Sequence, residues 1–210
     1  LHQGFIDVQV PLGDHGLTLR VGRQAFAFGK QRLVSPLPWA NSLRSWDGVD
    51  AIFTCDAWKV HAFWSQFDPV QKYELNDPDA QRQFYGAYAT RAVDCDWMKG
   101  VDAYFLGLSN RDSVTVNGTT GTDDRYTVGS RIWGRIGSSD FDYDLEGAYQ
   151  FGRVGAGDVH AGMLGAQVGY TLRDWDGAPR LFAGLDYGSG DDDAGGDVET
   201  FHQLFPLGHA

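Results

Sequence analysis

Arginine and carboxylate side chains are the groups in this sequence with the clearest capacity for chemistry. One stretch of the chain holds four arginines and a single nearby acid: Arg20, Arg23, Arg32, Arg44 and Asp47. A guanidinium group stays charged and can grip a carboxylate through two parallel N–H bonds. Such groups can bind an anionic solute, or they can pair with carboxylates of the protein itself. Both interpretations remain open from the residues alone.

Enzymatic chemistry is not indicated by any motif. The sequence has no G-x-S-x-G, H-E-x-x-H, Walker A or G-x-G-x-x-G pattern, and its six histidines are scattered. We therefore predict a protein that is not an enzyme and that uses no cofactor. A barrel phospholipase or protease with a Ser/His pair formed only by folding is a remote alternative.

Metal binding has one weak candidate, the acidic run that contains Asp191 and Asp193. Carboxylates suit calcium, but the positions that follow do not match the EF-hand spacing. A solvated loop is the favoured interpretation of this run.

The elements that must position these side chains are β-strands, because hydrophobicity alternates with a period of two. From Phe141 to Phe151 the odd positions are mostly aromatic or aliphatic, and the even positions include Asp142, Asp144 and Glu146. The same parity sets apart the charged faces of other segments, which carry Lys59, Arg125, Arg131, Arg135 and Asp186. One apolar face and one charged face recur along the chain.

We predict ten strands, joined alternately by short links and long loops. Their expected ranges are 4–10, 16–28, 47–55, 57–67, 82–93, 99–109, 124–137, 140–152, 160–173 and 179–188. The long loops are expected at 29–46, 68–81, 110–123 and 153–159, with a final extracellular-type loop at 189–210. This alternation is typical of an outer-membrane barrel. Residues 1–210 are therefore expected to form a single barrel domain or barrel segment.

Tryptophan lies beside aspartate in three of the short links, at Trp58, Trp97 and Trp175. Indole rings favour the headgroup level of a membrane, so these residues fit an aromatic girdle on the short-link side. Tryptophans that simply pack a hairpin end are the alternative.

Composition excludes two other classes. With 17 basic and 28 acidic residues, the chain lacks the positive surface of a nucleic-acid-binding protein. The longest run without Asp, Glu, Lys or Arg has 14 residues, too few for a transmembrane helix. A soluble ligand-binding barrel, with its apolar face inside, remains a remote alternative to the membrane barrel.

Several segments resemble the alginate export family of outer-membrane porins. They are Leu19-Arg20-Val21-Gly22-Arg23-Gln24, Gly29-Lys30-Gln31-Arg32-Leu33-Val34, Arg44-Ser45-Trp46-Asp47-Gly48-Val49, the segment from Asp142 to Gly152 and the segment from Asp186 to His209. The resemblance runs from about residue 17 to the end of the chain. It implies an all-β, antiparallel, up-and-down transmembrane barrel of about 18 strands. This chain, with about ten strands, is then expected to be a central segment of a longer porin.

The resemblance also implies a function, a location and a set of wall residues. It implies a channel in the outer membrane of a Gram-negative bacterium that passes an anionic, alginate-like uronate polysaccharide outward by passive diffusion. Membrane lipid and a periplasmic export scaffold are the implied partners besides the solute. The implied pore-lining residues are Arg20, Arg23, Arg32, Arg44, Asp47, Arg131, Glu146 and Asp186, and parity adds Lys59, Arg125 and Arg135. A general or differently selective porin is the alternative.

Overall fold

The computed structural model describes residues 2–40, 43–71 and 76–208, and within them the chain forms one antiparallel sheet. The sheet has ten strands in sequence order, so every strand pairs with its neighbours along the chain. The strands are β1 Gly4–Leu12, β2 His15–Gln24, β3 Ser45–Cys55, β4 Trp58–Asp68, β5 Asp79–Ala92, β6 Gly100–Val116, β7 Thr119–Arg135, β8 Phe141–Val154, β9 Gly157–Thr171 and β10 Arg180–Gly188.

The predicted fold class and the number of strands are confirmed. The sheet is all antiparallel and up-and-down, and its edge strands β1 and β10 do not pair with each other within the described residues. It is therefore an open sheet that corresponds to part of a barrel. Residues 41–42 and 72–75, in two of the predicted long loops, and 209–210, at the end of the predicted final loop, lie outside the described residues.

The predicted loop at 110–123 is wrong. β6 and β7 continue through this region as a hairpin that turns at Asn117 and Gly118, both with positive φ. An Asn-Gly pair adopts the type I′ turn that suits the twist of a two-residue hairpin. The alternation of valine and threonine around the pair then extends both strands beyond the rest of the sheet.

Two other boundaries also differ from prediction. β8 and β9 are joined by a tight turn at residues 155–156 rather than by a loop at 153–159, because Gly155 supplies the positive φ of the turn. β2 ends at Gln24 instead of continuing to residue 28. Phe26 and Phe28 leave the sheet and become buried in the core.

Strand register divides the sheet into two faces. We call the face that carries Trp46, Phe63, Phe84 and Leu106 the inner face, because these buried side chains form the main core. Residues at the intervening positions form the outer face. Since neighbours across the ladder share a face, the register assigns every strand residue to one of the two.

The outer face is a broad apolar surface without a cover in the described part of the chain. Large hydrophobic side chains remain exposed on strand after strand, among them Val49, Trp64, Phe105, Val128, Leu145, Tyr149, Leu164, Val168 and Leu185. Exposed apolar patches of this extent mark contact with lipid or another apolar surface. This arrangement agrees with lipid outside and polar groups inside, as expected for a membrane barrel.

Two loop segments pack against the inner face of β3–β6. Residues 25–40 and 201–208, here called the inner loops, form a parallel bridge between Val34 and Phe205. Their aromatic rings join those of the strands, with Phe26 4.7 Å from Phe63 and Phe205 5.0 Å from Phe84 between ring centroids. The apolar core therefore lies between the inner face of the sheet and the inner loops, and not between two sheets.

Trp58, Trp97 and Trp175 all lie at connections on the same end of the sheet and are exposed. Their position fits the predicted girdle, which stays a prediction. In residues 2–40, 43–71 and 76–208 no helix has the length and apolar character needed to cross a membrane.

A charge placed on the outer face tests its contact with lipid. Val128 lies on β7 between Phe105 and Tyr149, and 39% of its surface is exposed. We expect Val128→Arg to lower the free energy of unfolding in lipid vesicles by about 2–4 kcal/mol, since a cation near the bilayer centre is costly. Urea titration in vesicles measures this loss.

Ser113→Arg is the matched control, because Ser113 is exposed on the extension of β6. It should change stability by less than about 0.5 kcal/mol. Equal, small effects of both substitutions would contradict a lipid-facing outer surface and favour the soluble barrel.

Candidate functional site

A network of charged side chains covers the inner face from β6 to β10. Here this network, called the charged wall, consists of Asp102, Arg131, Asp142, Asp144, Glu146, Arg180 and Asp186, joined by Arg32 from an inner loop. The strand members share one face because register aligns them across the ladder. The alternation that the sequence shows thus produces a continuous polar surface.

Arg131 connects two strands on either side of its own. Its Nη1 lies 3.1 Å from Asp102 on β6, and its Nη2 lies 2.5 Å from Asp144 on β8. The guanidinium also lies over the ring of Trp133, 4.3 Å from the centroid. The planar group is therefore fixed by two carboxylates and one aromatic face.

Arg32 reaches the charged wall from the inner loop 25–40. Its Nη1 lies 2.9 Å from both Asp144 and Glu146, and its Nε lies 3.2 Å from Asp186. Only 8% of its side-chain surface is exposed. One loop cation thus neutralises carboxylates from β8 and β10 and ties the loop to the wall.

Glycine makes room for this contact. A Cβ at Gly165 of β9 would lie 2.6 Å from Nε of Arg32 and 2.9 Å from the carboxylate of Asp186. Every other residue would push the guanidinium away from its partners. The small residue on β9 therefore allows the loop arginine to lie flat against the sheet.

Two tyrosines complete the hydrogen bonding of the wall carboxylates. The hydroxyl of Tyr88 donates to Asp102 at 2.8 Å, and the hydroxyl of Tyr104 donates to Glu146 at 3.0 Å. Their rings stack at 5.3 Å. Buried carboxylates require hydrogen-bond partners, and these two hydroxyl groups supply them.

The four arginines from Arg20 to Arg44 do not form one cluster. Arg20 lies on the inner face and makes a bidentate pair with Asp7 at 2.8 Å. Arg23 pairs with Asp47 at 2.7 Å and with Asp68 at 2.8 Å. Arg23 and Asp47 lie on the outer face, because they alternate along their strands with Gln24 and Trp46 of the inner face. Neither Arg23 nor Asp47 therefore belongs to the charged wall.

Three predicted residues occupy other parts of the inner face. Lys59 and Arg135 lie near the short-connection end, are exposed, and form no ion pair within the described residues. Arg125 lies deeper and is fully buried, with its Nε 2.8 Å from Asp123. The pore-lining role of all three stays a prediction.

Arg44 is the one member of the early set without a carboxylate partner in the described chain. Its Nη1 donates to the carbonyl oxygens of Pro206 at 2.8 Å and Ser35 at 3.5 Å. Burial lowers the pKa of Arg44, although arginine remains charged at any physiological pH. This residue holds the two inner loops together.

The acidic run of the final loop forms hydrogen bonds within that loop and with the β6–β7 turn. The Asp191 carboxylate accepts hydrogen bonds from the backbone N–H groups of Asp193 and Glu199. Asn117 donates to the backbone carbonyls of Asp191 and Asp193, which ties the β6–β7 turn to this loop. Among the described residues, no three acidic, histidine or cysteine side chains are grouped as metal ligands. Calcium here stays an untested prediction.

Some site residues carried only weak sequence signals. Asp102 is a lone acid on an otherwise apolar strand face, and its alternation with Tyr104 and Leu106 was the available clue. The sequence pattern around Tyr88 and Tyr104 is typical of ordinary aromatic residues of a core. Arg82 was missed because it lies near the start of β5, beside a long loop, where the alternation of polar and apolar residues gives little information.

His202 is a half-buried inner-loop histidine that is neutral at pH 7. Burial, and then the nearby Arg125 guanidinium, lower the pKa of His202 to about 4; Arg82 lowers it further and Asp123 opposes the change. Its Nδ1 accepts a hydrogen bond from the backbone N–H of Leu204 at 3.0 Å, which a protonated ring could not do. The inner loop near residue 202 therefore depends on an uncharged imidazole.

Comparison with known proteins gives one match. A family model described as alginate export matches residues 1–210, the whole chain. No curated protein and no solved structure matches the chain.

Removing the loop cation tests whether Arg32 holds the inner loop to the wall. Arg32→Ala leaves Glu146 with Tyr104 as its described side-chain partner and leaves Asp144 with Arg131. We expect the free energy of unfolding to fall by about 3 kcal/mol, because an acid is left buried without its counterion. Denaturant titration measures the change.

Arg153→Ala is the control, since Arg153 and Asp158 are 73% and 50% exposed and their pair should contribute less than about 1 kcal/mol. A second variant, Arg32→Ala with Glu146→Gln, should recover part of the loss. If the double variant is no more stable than Arg32→Ala, the buried ion pair is not the cause.

Acid should destabilise the protein through His202. The unfolded chain protonates this ring below about pH 6.5 and the folded chain only below about pH 4. The free energy of unfolding contributed by His202 therefore falls as the pH drops through this window, by about 3 kcal/mol at most. Unfolding measured at pH 7 and pH 4.5 reports the loss.

His202→Gln isolates this contribution from the many carboxylates, because glutamine does not titrate in the window. The variant should show a smaller loss between pH 7 and pH 4.5 than the wild type. An identical pH dependence in both proteins would rule out His202 as the responsible group.

Proposed function

Because the chain belongs to the alginate export family, we propose that it forms part of the wall of an anion-selective channel for a uronate polysaccharide. The family is one of outer-membrane channels and not of enzymes. Transport is proposed to be passive and outward, across the outer membrane of a Gram-negative bacterium. The short connections would face the periplasm, as in other such barrels.

The observation that carries this proposal is the segregation of the two faces. The outer face is apolar and exposed, whereas the inner face of β6–β10 bears the charged wall. A polar lining supports passage of a hydrated polymer, and an apolar exterior suits lipid. The same segregation is the reverse of a soluble ligand-binding barrel.

Charge pairing on the wall is compatible with passage rather than capture. Arg32, Arg131 and Arg180 are each paired with carboxylates, so a passing uronate meets guanidinium groups that are already partly neutralised. Conduction requires binding that is weak and repeated along the path. We propose that Lys59 and Arg135 supply positive charge at the short-connection end. Neither forms an ion pair in the described chain, and Arg135 faces Asp142 across the ladder.

A general porin is the second candidate. The charged wall favours it, because three arginines face five carboxylates there and leave no excess of positive charge that would select an anion. In that case other small polar solutes would pass equally well. Membrane lipid is a partner under both candidates, and a periplasmic export scaffold belongs to the first.

Single-channel recording of the full-length protein in a planar bilayer tests the proposal. The channel should prefer chloride over potassium, and mannuronate oligomers should reduce the current, since the guanidinium and ammonium groups attract carboxylates. Neutral mannose oligomers of equal length should reduce it much less. Current that is indifferent to both oligomers would favour the general porin.

The variant Lys59→Glu with Arg135→Glu should shift the preference toward potassium and weaken the block. Arg91→Glu is the matched control, because Arg91 lies at the same end of the sheet, paired across from Trp58 on the outer face. If the control shifts selectivity as strongly as the double variant, a pore-lining role for Lys59 and Arg135 is contradicted.

A further inference from the structure

A cavity of about 340 Å³ lies at the opposite end of the inner face from the short connections. Its wall combines the starts of β5 and β7 with the end of β4 and the inner loop around residues 202–205. The volume is within the range of small-molecule sites. None of its lining residues belongs to the charged wall.

Two guanidinium groups line this cavity without carboxylate partners in the described residues. Arg82 makes no hydrogen bond there and stacks over Phe67, 5.4 Å from the ring centroid. Arg44 donates only to backbone carbonyls and lies 6.0 Å from the centroid of Phe205. Both guanidinium groups therefore carry a positive charge and N–H donors that no carboxylate of the described residues accepts from.

The acid in the described cavity lining is already neutralised. Both carboxylate oxygens of Asp123 accept from Nε of Arg125, at 2.8 and 3.0 Å. The Arg125 side chain is fully buried, and its Nη2 has no acceptor. His202, the remaining titratable group of the lining, is neutral at pH 7. The cavity thus has a net excess of positive charge.

The rest of the lining is suited to a sugar ring. Leu108 and Leu204 offer apolar contacts for ring C–H groups, beside Phe67 and Phe205, whose rings stack on each other at 5.5 Å between centroids. The amide of Asn110 can donate to and accept from hydroxyl groups. An apolar pocket with a few convergent polar groups is the usual form of a small-molecule site.

We propose that this cavity is a binding site for one hexuronate residue, whose carboxylate is held by Arg44 and Arg82 while its ring lies beside Leu108, Leu204 and the amide of Asn110. The site would hold a sugar at the long-loop end of the channel, so the identity of the ligand rests on the proposed function. Arginine suits this role because its planar guanidinium group can hold a carboxylate through two parallel N–H bonds.

Calorimetric titration of the full-length protein in detergent micelles with the mannuronate dimer tests the site. Arg82→Gln should weaken binding by at least about tenfold, because it removes a charged donor while disturbing no hydrogen bond of the fold. Arg44→Gln should weaken binding similarly. Arg82→Lys should retain part of the affinity, since the positive charge remains.

Arg153→Gln is the matched control, because Arg153 is exposed and lies outside the cavity; it should bind as the wild type does. The neutral mannose dimer and inorganic phosphate separate sugar recognition from simple anion binding. The proposal is overturned if the wild type does not bind the mannuronate dimer, if Arg82→Gln binds it unchanged, or if phosphate or the neutral dimer binds equally well.

Failure of the site and failure of the channel function give different results. If mannuronate oligomers block the current of both wild type and Arg82→Gln equally, the channel function stands and the cavity is not its sugar site. If Arg82→Gln loses binding in micelles while the wild-type current ignores the oligomers, the site stands and the export function does not.

Discussion

Backbone pairing along the ten-stranded sheet is the constraint on which the rest of the molecule depends. Because each strand pairs with its sequence neighbours, one register fixes which face every side chain occupies. A slip of one residue in β7 would exchange Val128 with Thr127, and would turn Arg131 toward the apolar surface. The apolar exterior and the charged wall are two consequences of the same ladder.

The inner loops cover two regions of the inner face, one apolar and one charged. Over β3–β6 they bury aromatic rings such as Trp46 and Phe84, which excludes water from that side. Toward β8 and β10 the same loop extends Arg32 into a group of carboxylates. Since a buried acid needs a counterion, the loop is part of the wall's electrostatics as well as a filler of space.

Sequence reasoning was reliable wherever it relied on period-two alternation. The strand count, the up-and-down order and the acidic face of β8 follow from local pattern, and the family was recognisable from short segments. It failed at the Asn117-Gly118 turn, where polar residues between two strands were interpreted as a loop although the pair itself is a hairpin signal. Strand ends were also predicted poorly, because the alternation of apolar and polar residues gives little information there.

Ion-pair partners could not be derived in the same way. Arg32 meets Glu146 across 114 positions of the chain, and Arg44 meets the carbonyl of Pro206 across 162. Such contacts depend on how a loop enters the barrel, for which a single sequence holds no periodic signal. Three of the four early arginines pair with Asp7, with Asp68 or with wall carboxylates from distant segments, whereas Arg44 has no acidic partner in the described chain.

The distribution of charge in the described residues is compatible with the proposed anionic solute, although the chain has a net charge of −11. Much of the acid lies in loops such as 191–193 or is paired with arginine on the wall. The cations without acidic partners in the described chain include Lys59 and Arg135 at one end of the inner face and Arg44 and Arg82 at the other. Only the local field acts on a solute in a channel. Under the proposed function, these cations would attract the polyanion, while the paired guanidinium groups of the charged wall would bind it only weakly.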